Sequence, residues 1–181
     1  MGHPRVSHPG IDVEALRAQV PRRIEGRWYR TVKDKRRRQV ESPAGSAVVA
    51  GRYHTTDEDQ VLYLSDSPGL SVNESTRLFQ TVPLRESAWY NATFEIGLAR
   101  VLDLADPRIV ERLGLTTADL VQPRPGGYLL TQAIARQARA AGCEAIRAPS
   151  ARPGISGSNL VIFLEVVEET GGVVSLATDA D

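Results

Sequence analysis

The sequence predicts an α+β fold, a single domain with a mixed, mostly short-stranded sheet and flanking helices. Three observations carry that expectation. A chain of 181 residues fits one hydrophobic core. Its β-branched and aromatic segments of strand length are interspersed with helix-period segments, without the regular strand-helix-strand alternation of a doubly wound sheet. Neither a GxGxxG nor a Walker motif is present to argue for a nucleotide fold of that kind.

Ile11 to Val20 has apolar residues at 11, 13, 16 and 20, a loose helical spacing that Pro21 ends. Arg27 to Val32 reads as a strand. It runs into Lys33 to Arg38, where five of six side chains are positive, and such a run belongs in a solvated loop. Ser46 to Tyr53 and Gln60 to Ser65 read as two short strands on either side of the polar stretch His54 to Asp59. Ser67-Pro68-Gly69 supplies an N-cap and a proline in the first helical position, so a helix follows over Leu70 to Phe79. Ala92 to Leu104 alternates and then turns apolar. Gly97 interrupts it, giving one bent strand or two consecutive ones.

Asp106-Pro107 opens a further helix as far as Leu113. Leu129 to Ala141, apolar at 129, 130, 133, 134 and 138, is the clearest amphipathic helix, and Gly142 stops it. Glu144 to Arg147 and Leu160 to Val167 read as the last strands, flanking a Pro, Gly and Ser-rich loop from Pro149 to Ser158. The chain then divides into an N-terminal extension with a short helix (1–25), a core domain (26–168) and a mobile C-terminal tail (169–181).

Composition narrows the function. With 41% hydrophobic and 24% charged residues the chain is near the soluble average, and no apolar run approaches the roughly 20 residues of a membrane span. Lys plus Arg (22) cancels Asp plus Glu (22), so the bulk positive charge that draws a protein onto nucleic acid or an anionic membrane is missing. Met1 to Gly10 contains no apolar stretch of the secretory kind, and a cytoplasmic location is expected. Cys143 is the single cysteine, and His3, His8 and His54 are not at metal-ligand spacing, so neither a disulfide nor a metal site is expected.

Residues able to do chemistry stand where segments begin or end: Arg30, Arg52, Tyr63, Glu74 and Ser150. Each has a structural reading of its own. Arg30 and Arg52 could be surface ion-pair residues, Tyr63 a core tyrosine with its hydroxyl at an edge, and Ser150 a turn residue. Ser71-Val72-Asn73-Glu74 has capping-box spacing, which would make Glu74 structural, whereas a helix starting at Ser67-Pro68 sets Glu74 well inside it. No His-Asp pair is available to make Ser150 a nucleophile.

Taken together and in order, these segments resemble a known family. Trp28-Tyr29-Arg30, Gly51-Arg52-Tyr53, Val61-Leu62-Tyr63-Leu64-Ser65, Glu74 on the next helix, and Pro149-Ser150-Ala151 ahead of Asn159-Leu160-Val161-Ile162 resemble the RES domain. The separations of eleven from Arg52 to Tyr63 and from Tyr63 to Glu74 are also similar to that family, and the likeness spans Arg27 to Val167. Many members have Gly-Arg-Trp-Asn where this chain has Gly51-Arg52-Tyr53-His54, which keeps the arginine and an aromatic but changes the polar neighbour.

The resemblance implies an ADP-ribosyltransferase-like fold over 26–168 and a cytoplasmic toxin that breaks NAD+ at the nicotinamide-ribose bond. It implies Glu74, Arg30 and Tyr63 as catalytic residues, and Arg30, Arg52, Tyr63 and Ser150 as NAD-binding ones. NAD+ enters as substrate, with no resident cofactor. The implied protein partner is an Xre-type helix-turn-helix antitoxin in a hetero-oligomer. Nicotinamide leaves as a neutral group from a cation, so one carboxylate, Glu74, suffices to stabilise the positive ribose of the transition state. Guanidinium groups suit the pyrophosphate, a tyrosine ring suits nicotinamide, and a serine hydroxyl can donate to ribose or phosphate oxygen. Water or phosphate as acceptor gives NAD+ glycohydrolysis or phosphorolysis; a protein side chain gives ADP-ribosylation, the alternative. A non-catalytic module docking through Lys33 to Arg38 is the reading from another class.

Overall fold

Two long strands set the frame: β1 (Arg22–Lys33) and β3 (Trp89–Asp103) run antiparallel and pair from Arg22↔Val101 to Lys33↔Trp89. The computed structural model describes residues 13–18, 21–56, 60–77, 88–121, 128–152 and 154–177. The other strands are β2 (Val61–Ser65), β4 (Ala145–Pro149), β5 (Ser158–Phe163) and β6 (Val173–Leu176). The helices are α1 (Val13–Ala18), α2 (Pro68–Arg77), α3 (Pro107–Arg112), α4 (Thr117–Val121), α5 (Leu129–Ala140) and α6 (Leu164–Thr170).

The sheet order is β1-β2-β5-β4-β3-β6, and β1 also pairs with β3, so five strands close a circuit with β6 attached outside on β3. Among the described residues only β3 and β4 pair in parallel, which makes the sheet mixed, as the sequence predicts. Strand alternation divides the core in two. Trp28, Leu62, Leu64, Phe94, Leu160 and Ile162 fill the inside of the circuit. Val61, Val161 and Phe163 face the other way, where Leu130, Ile134 and Ala138 of α5 cover them with Val110, Leu113 and Leu120. The apolar stripe read on 129–141 is thus the stripe that packs on the sheet, and each fully buried Leu or Ile contributes about 1.5–3 kcal/mol.

Local signals explain several boundaries. Ser67 Oγ accepts from Leu70 N–H at 3.3 Å with Pro68 opening α2, and Asp106 Oδ1 accepts from Arg108 N–H at 3.0 Å with Pro107 opening α3. Gly142 follows α5 at φ 75°, a left-handed stop. Residues 92–103 belong to one continuous strand, β3, in which Gly97 pairs with Glu25 and Val173 without a break.

Four expectations need correction. Ser46 to Tyr53 is not a strand: Val48 and Val49 are 77% and 63% exposed. The Ser46 and Val48 amides instead close turns, donating to Pro43 O at 2.8 Å and Gly45 O at 3.4 Å, and the Ser46 hydroxyl also donates to Pro43 O. The basic run is not an irregular loop but part of a 3-10 helix over Asp34–Gln39. The last long strand ends at Phe163, where Leu164-Glu165 starts α6; Val166 and Val167 stay buried from a helix. The segment read as a mobile tail after Glu169 carries β6, paired with β3 from Phe94↔Leu176 to Gly97↔Val173. Residues 11, 12, 19 and 20 of the leading helix, and 78 and 79 of the next, lie outside the described residues.

Two buried carboxylates serve the fold. Asp103 accepts from Arg22 at 2.8 Å and Arg147 at 3.3 Å, tying β1 to the ends of β3 and β4. Glu144 Oε2 accepts from the Ala99 and Arg100 amides, both at 2.7 Å, and Oε1 from Thr170 Oγ1 at 2.7 Å.

Candidate active site

Ser65 ends β2 opposite Asn159 near the start of β5, and the two side chains join, Ser65 Oγ donating to Asn159 Oδ1 at 2.9 Å. The other end of that amide faces α2. Asn159 Nδ2 donates to Glu74 Oε1 at 2.9 Å, and Ser150 Oγ, just past β4, donates to the same oxygen at 2.9 Å. Glu74 Oε2 lies 3.5 Å from Arg152 Nε. Arg152 also donates to the main-chain oxygens of Asn73 and Glu74, and its own N–H bonds Ser150 Oγ at 3.1 Å. A half-buried carboxylate is thereby held by two neutral donors on one oxygen and a guanidinium beside the other.

The start of α2 decides the open question about Glu74. With Ser67 as the N-cap, Glu74 sits inside the helix, and Ser71 is buried and accepts from Thr31 Oγ1 at 2.9 Å instead of capping a turn. Ser75 Oγ donates to Thr31 O at 2.7 Å and pins the same helix to β1.

Tyr63 is two residues from Ser65 on the same face of β2, about 7 Å along the strand. Its hydroxyl meets His54 Nδ1 at 2.9 Å and accepts from Tyr53 N–H at 3.3 Å. Burial pushes the phenol well above its usual range, with the nearby Arg52 charge opposing. Arg52 donates to Leu120 O at 2.7 Å and lies over the Tyr128 ring, 5.0 Å from its centroid. Its carbonyl accepts from Thr131 Oγ1 on α5.

Arg30 stands apart. Alternation sets it on the Trp28 face of β1, and its Nη1 donates to Val40 O at 2.6 Å and Ser42 O at 3.1 Å. Burial lowers its guanidinium to about 10. Among the described residues no hydrogen bond joins it to the Glu74 cluster; both of its bonds use Nη1. A separate cavity of about 710 Å³ lies beside the basic 3-10 helix, lined by Lys35, Arg37, Arg38 and Tyr90 among others and by none of the Glu74 cluster.

A family model described as the RES domain matches residues 21–175. The chain belongs to the RES-domain family. Its fold is similar to a chain in the crystal structure of the M. tuberculosis MbcT-MbcA toxin-antitoxin complex, with a TM-score of 0.75 and 22% identity over 92% of this chain and 88% of that one. A search of curated proteins gave no match. In this RES domain the structure brings Glu74 and Ser150 into contact and gathers Tyr63 with Arg52 at the neighbouring turn, while Arg30 holds the loop over Val40 and Ser42. Sequence reading missed Arg152, Asn159 and Ser65. The signal for the last two was a polar residue at the mouth of each apolar strand; Arg152 gave none beyond standing two residues from Ser150.

Among the described residues no three His, Cys, Asp or Glu side chains are grouped to hold a metal, and no helix is long and apolar enough to cross a membrane.

Proposed function

We propose that this RES-domain protein is the cytoplasmic toxin of a toxin-antitoxin pair and that it cleaves NAD+ between nicotinamide and ribose at Glu74. The observation that carries the reading is the Glu74 carboxylate, partly accessible and fixed by Ser150 and Arg152 from the loop after β4 and by Asn159 from β5, all distant from it in sequence. Three side chains converging on one carboxylate exceed what α2 needs for its own stability. They suit a charge whose direction matters.

Cleavage moves the pair of electrons of the ribose C1–nitrogen bond onto nicotinamide, which leaves neutral, and the ribose takes up positive charge. A carboxylate aimed at that charge stabilises it more in the transition state than in the ground state. Water then adds to C1, and the proton it loses goes to Glu74 or solvent, so NAD+ and water give nicotinamide, ADP-ribose and a proton. The Tyr63 ring, on the same face of β2, is the flat surface for nicotinamide. Arg52 is the cation for the pyrophosphate, and Arg30 adds its remaining guanidinium nitrogens if the substrate reaches the loop it holds. Ser150 both positions Glu74 and offers its hydroxyl to a ribose oxygen. The structural relative belongs to a toxin-antitoxin complex, which supports an antitoxin as partner, here one of the Xre helix-turn-helix type.

The test is free nicotinamide release by the isolated chain beside Glu74→Gln. Turnover by the parent and a loss of about 100-fold or more in the folded variant is the expected result. Label from NAD+ appearing on a protein when lysate is added would favour ADP-ribosylation instead. No turnover under either condition, with or without phosphate, would remove the proposal.

A further inference from the structure

His54 is buried, and both of its ring nitrogens are engaged: Nε2 is 2.9 Å from the Val49 carbonyl oxygen and Nδ1 is 2.9 Å from the Tyr63 hydroxyl. A carbonyl oxygen only accepts, so its partner Nε2 carries the ring proton, and a neutral imidazole then offers Nδ1 as a lone pair. In that tautomer the Tyr63 hydroxyl gives its single proton to Nδ1. Its oxygen is used as well, accepting from Tyr53 N–H at 3.3 Å. The two rings meet edge to face, with centroids 5.5 Å apart and planes at 60°.

We infer that the Tyr63 hydroxyl is a strut that transfers no proton, and that His54 is the positioning residue that fixes the Tyr63 ring as a wall of the Glu74 site. The description of the ring as a wall rests on the proposed NAD-cleaving reading; the hydrogen-bond arrangement stands without it.

The turn around His54 is built to hold this geometry. Gly51 N–H donates to His54 O at 3.1 Å, and Gln132 Nε2 of α5 donates to both Gly51 O (2.9 Å) and His54 O (3.0 Å). Position 51 has no room for a side chain: a Cβ there would lie 2.3 Å from His54 Cε1 and 3.0 Å from the Tyr63 hydroxyl oxygen. Burial, which raises the Tyr63 phenol, also keeps the ring from acting as a phenolate base. Tyr63 thus has a committed proton, a committed lone pair and no accessible anion.

Two independent readouts test the inference. In two-bond proton-nitrogen NMR spectra of the full chain at neutral pH, with the His54 signals assigned by their loss in His54→Asn, His54 should show a protonated Nε2 and a bare Nδ1. The Nδ1 shift should move in Tyr63→Phe. A proton on Nδ1, or an unmoved Nδ1 in Tyr63→Phe, would overturn the strut. In NAD+ turnover, Tyr63→Phe should raise KM several-fold while kcat falls no more than about threefold, and Tyr63→Leu should raise KM about tenfold or more.

His54→Leu should act through KM in the same way, and His54→Asn, whose amide oxygen can still accept from Tyr63, should recover most of the loss. Tyr63→Phe with a kcat lowered about 100-fold in a folded protein would show the hydroxyl doing chemistry and end the inference. Were the parent chain to lack turnover, the NAD-cleaving reading would fall while the NMR spectra still decided the strut.

Discussion

Ser150 and Asn159 donate to the same oxygen of Glu74, each at 2.9 Å, and this shared acceptor lets the effect of losing them be worked out. A hydrogen bond to a charged group is worth about 1.5–3 kcal/mol. If that energy holds the carboxylate in its working direction, Ser150→Ala or Asn159→Ala lowers kcat/KM by roughly 10- to 150-fold. Asn159→Ala should also cost more stability, because it takes the acceptor from the buried Ser65 hydroxyl. Once either donor is gone the carboxylate is already loosened, so the second loss matters less. The double variant should be less impaired than the product of the singles by about fivefold or more, a coupling of about 1 kcal/mol. Nicotinamide release at low NAD+, with thermal melts of all four proteins, measures the cycle. Single variants within twofold of the parent rate, or losses that simply multiply, would refute the claim that these two side chains orient Glu74.

Glu144 offers a test of the fold. Glu144→Leu leaves the Ala99 and Arg100 amides without their acceptor, at about 1–3 kcal/mol each, and should lower Tm by about 10 °C; Glu144→Gln, which keeps an oxygen for both amides, should lose less. Equal melting losses for the two would contradict the arrangement. Cys143 is buried, and burial raises its thiol, so iodoacetamide should modify the folded chain slowly and the denatured chain fast. Rapid labelling of the native protein, followed by mass spectrometry, would show that position to be open.

Elements with a strong local signal were legible in the sequence. Ser67-Pro68 and Asp106-Pro107 start helices because cap and proline act within one turn, and the stripe of 129–141 needs only its own periodicity. Ser46 to Tyr53 departs from a strand because its Ser46 and Val48 amides close turns onto Pro43 O and Gly45 O, and Val166-Val167 because burial is common to strand and helix. The site was legible to a different depth. Glu74 and Ser150 could be named from motif order, but their contact spans 76 residues and depends on the register of β2 against β5 and on the loop after β4. Arg152 owes its place to that loop, which leaves no local trace, and Asn159 is marked only as a polar residue at the mouth of an apolar strand. The resemblance implies Arg30 as a site residue, yet strand alternation decides which face it serves, and the structure gives it two loop carbonyls.

In the proposed reaction Glu74, held by Ser150, Asn159 and Arg152, is the group on which NAD+ cleavage depends. Free nicotinamide released by the purified, antitoxin-free chain, compared with Glu74→Gln of matched circular dichroism, tests it most directly. Steady release by the parent and near-complete loss in the variant are expected. Equal release by the two folded proteins would contradict it, because the carboxylate that the site is built around would then be dispensable.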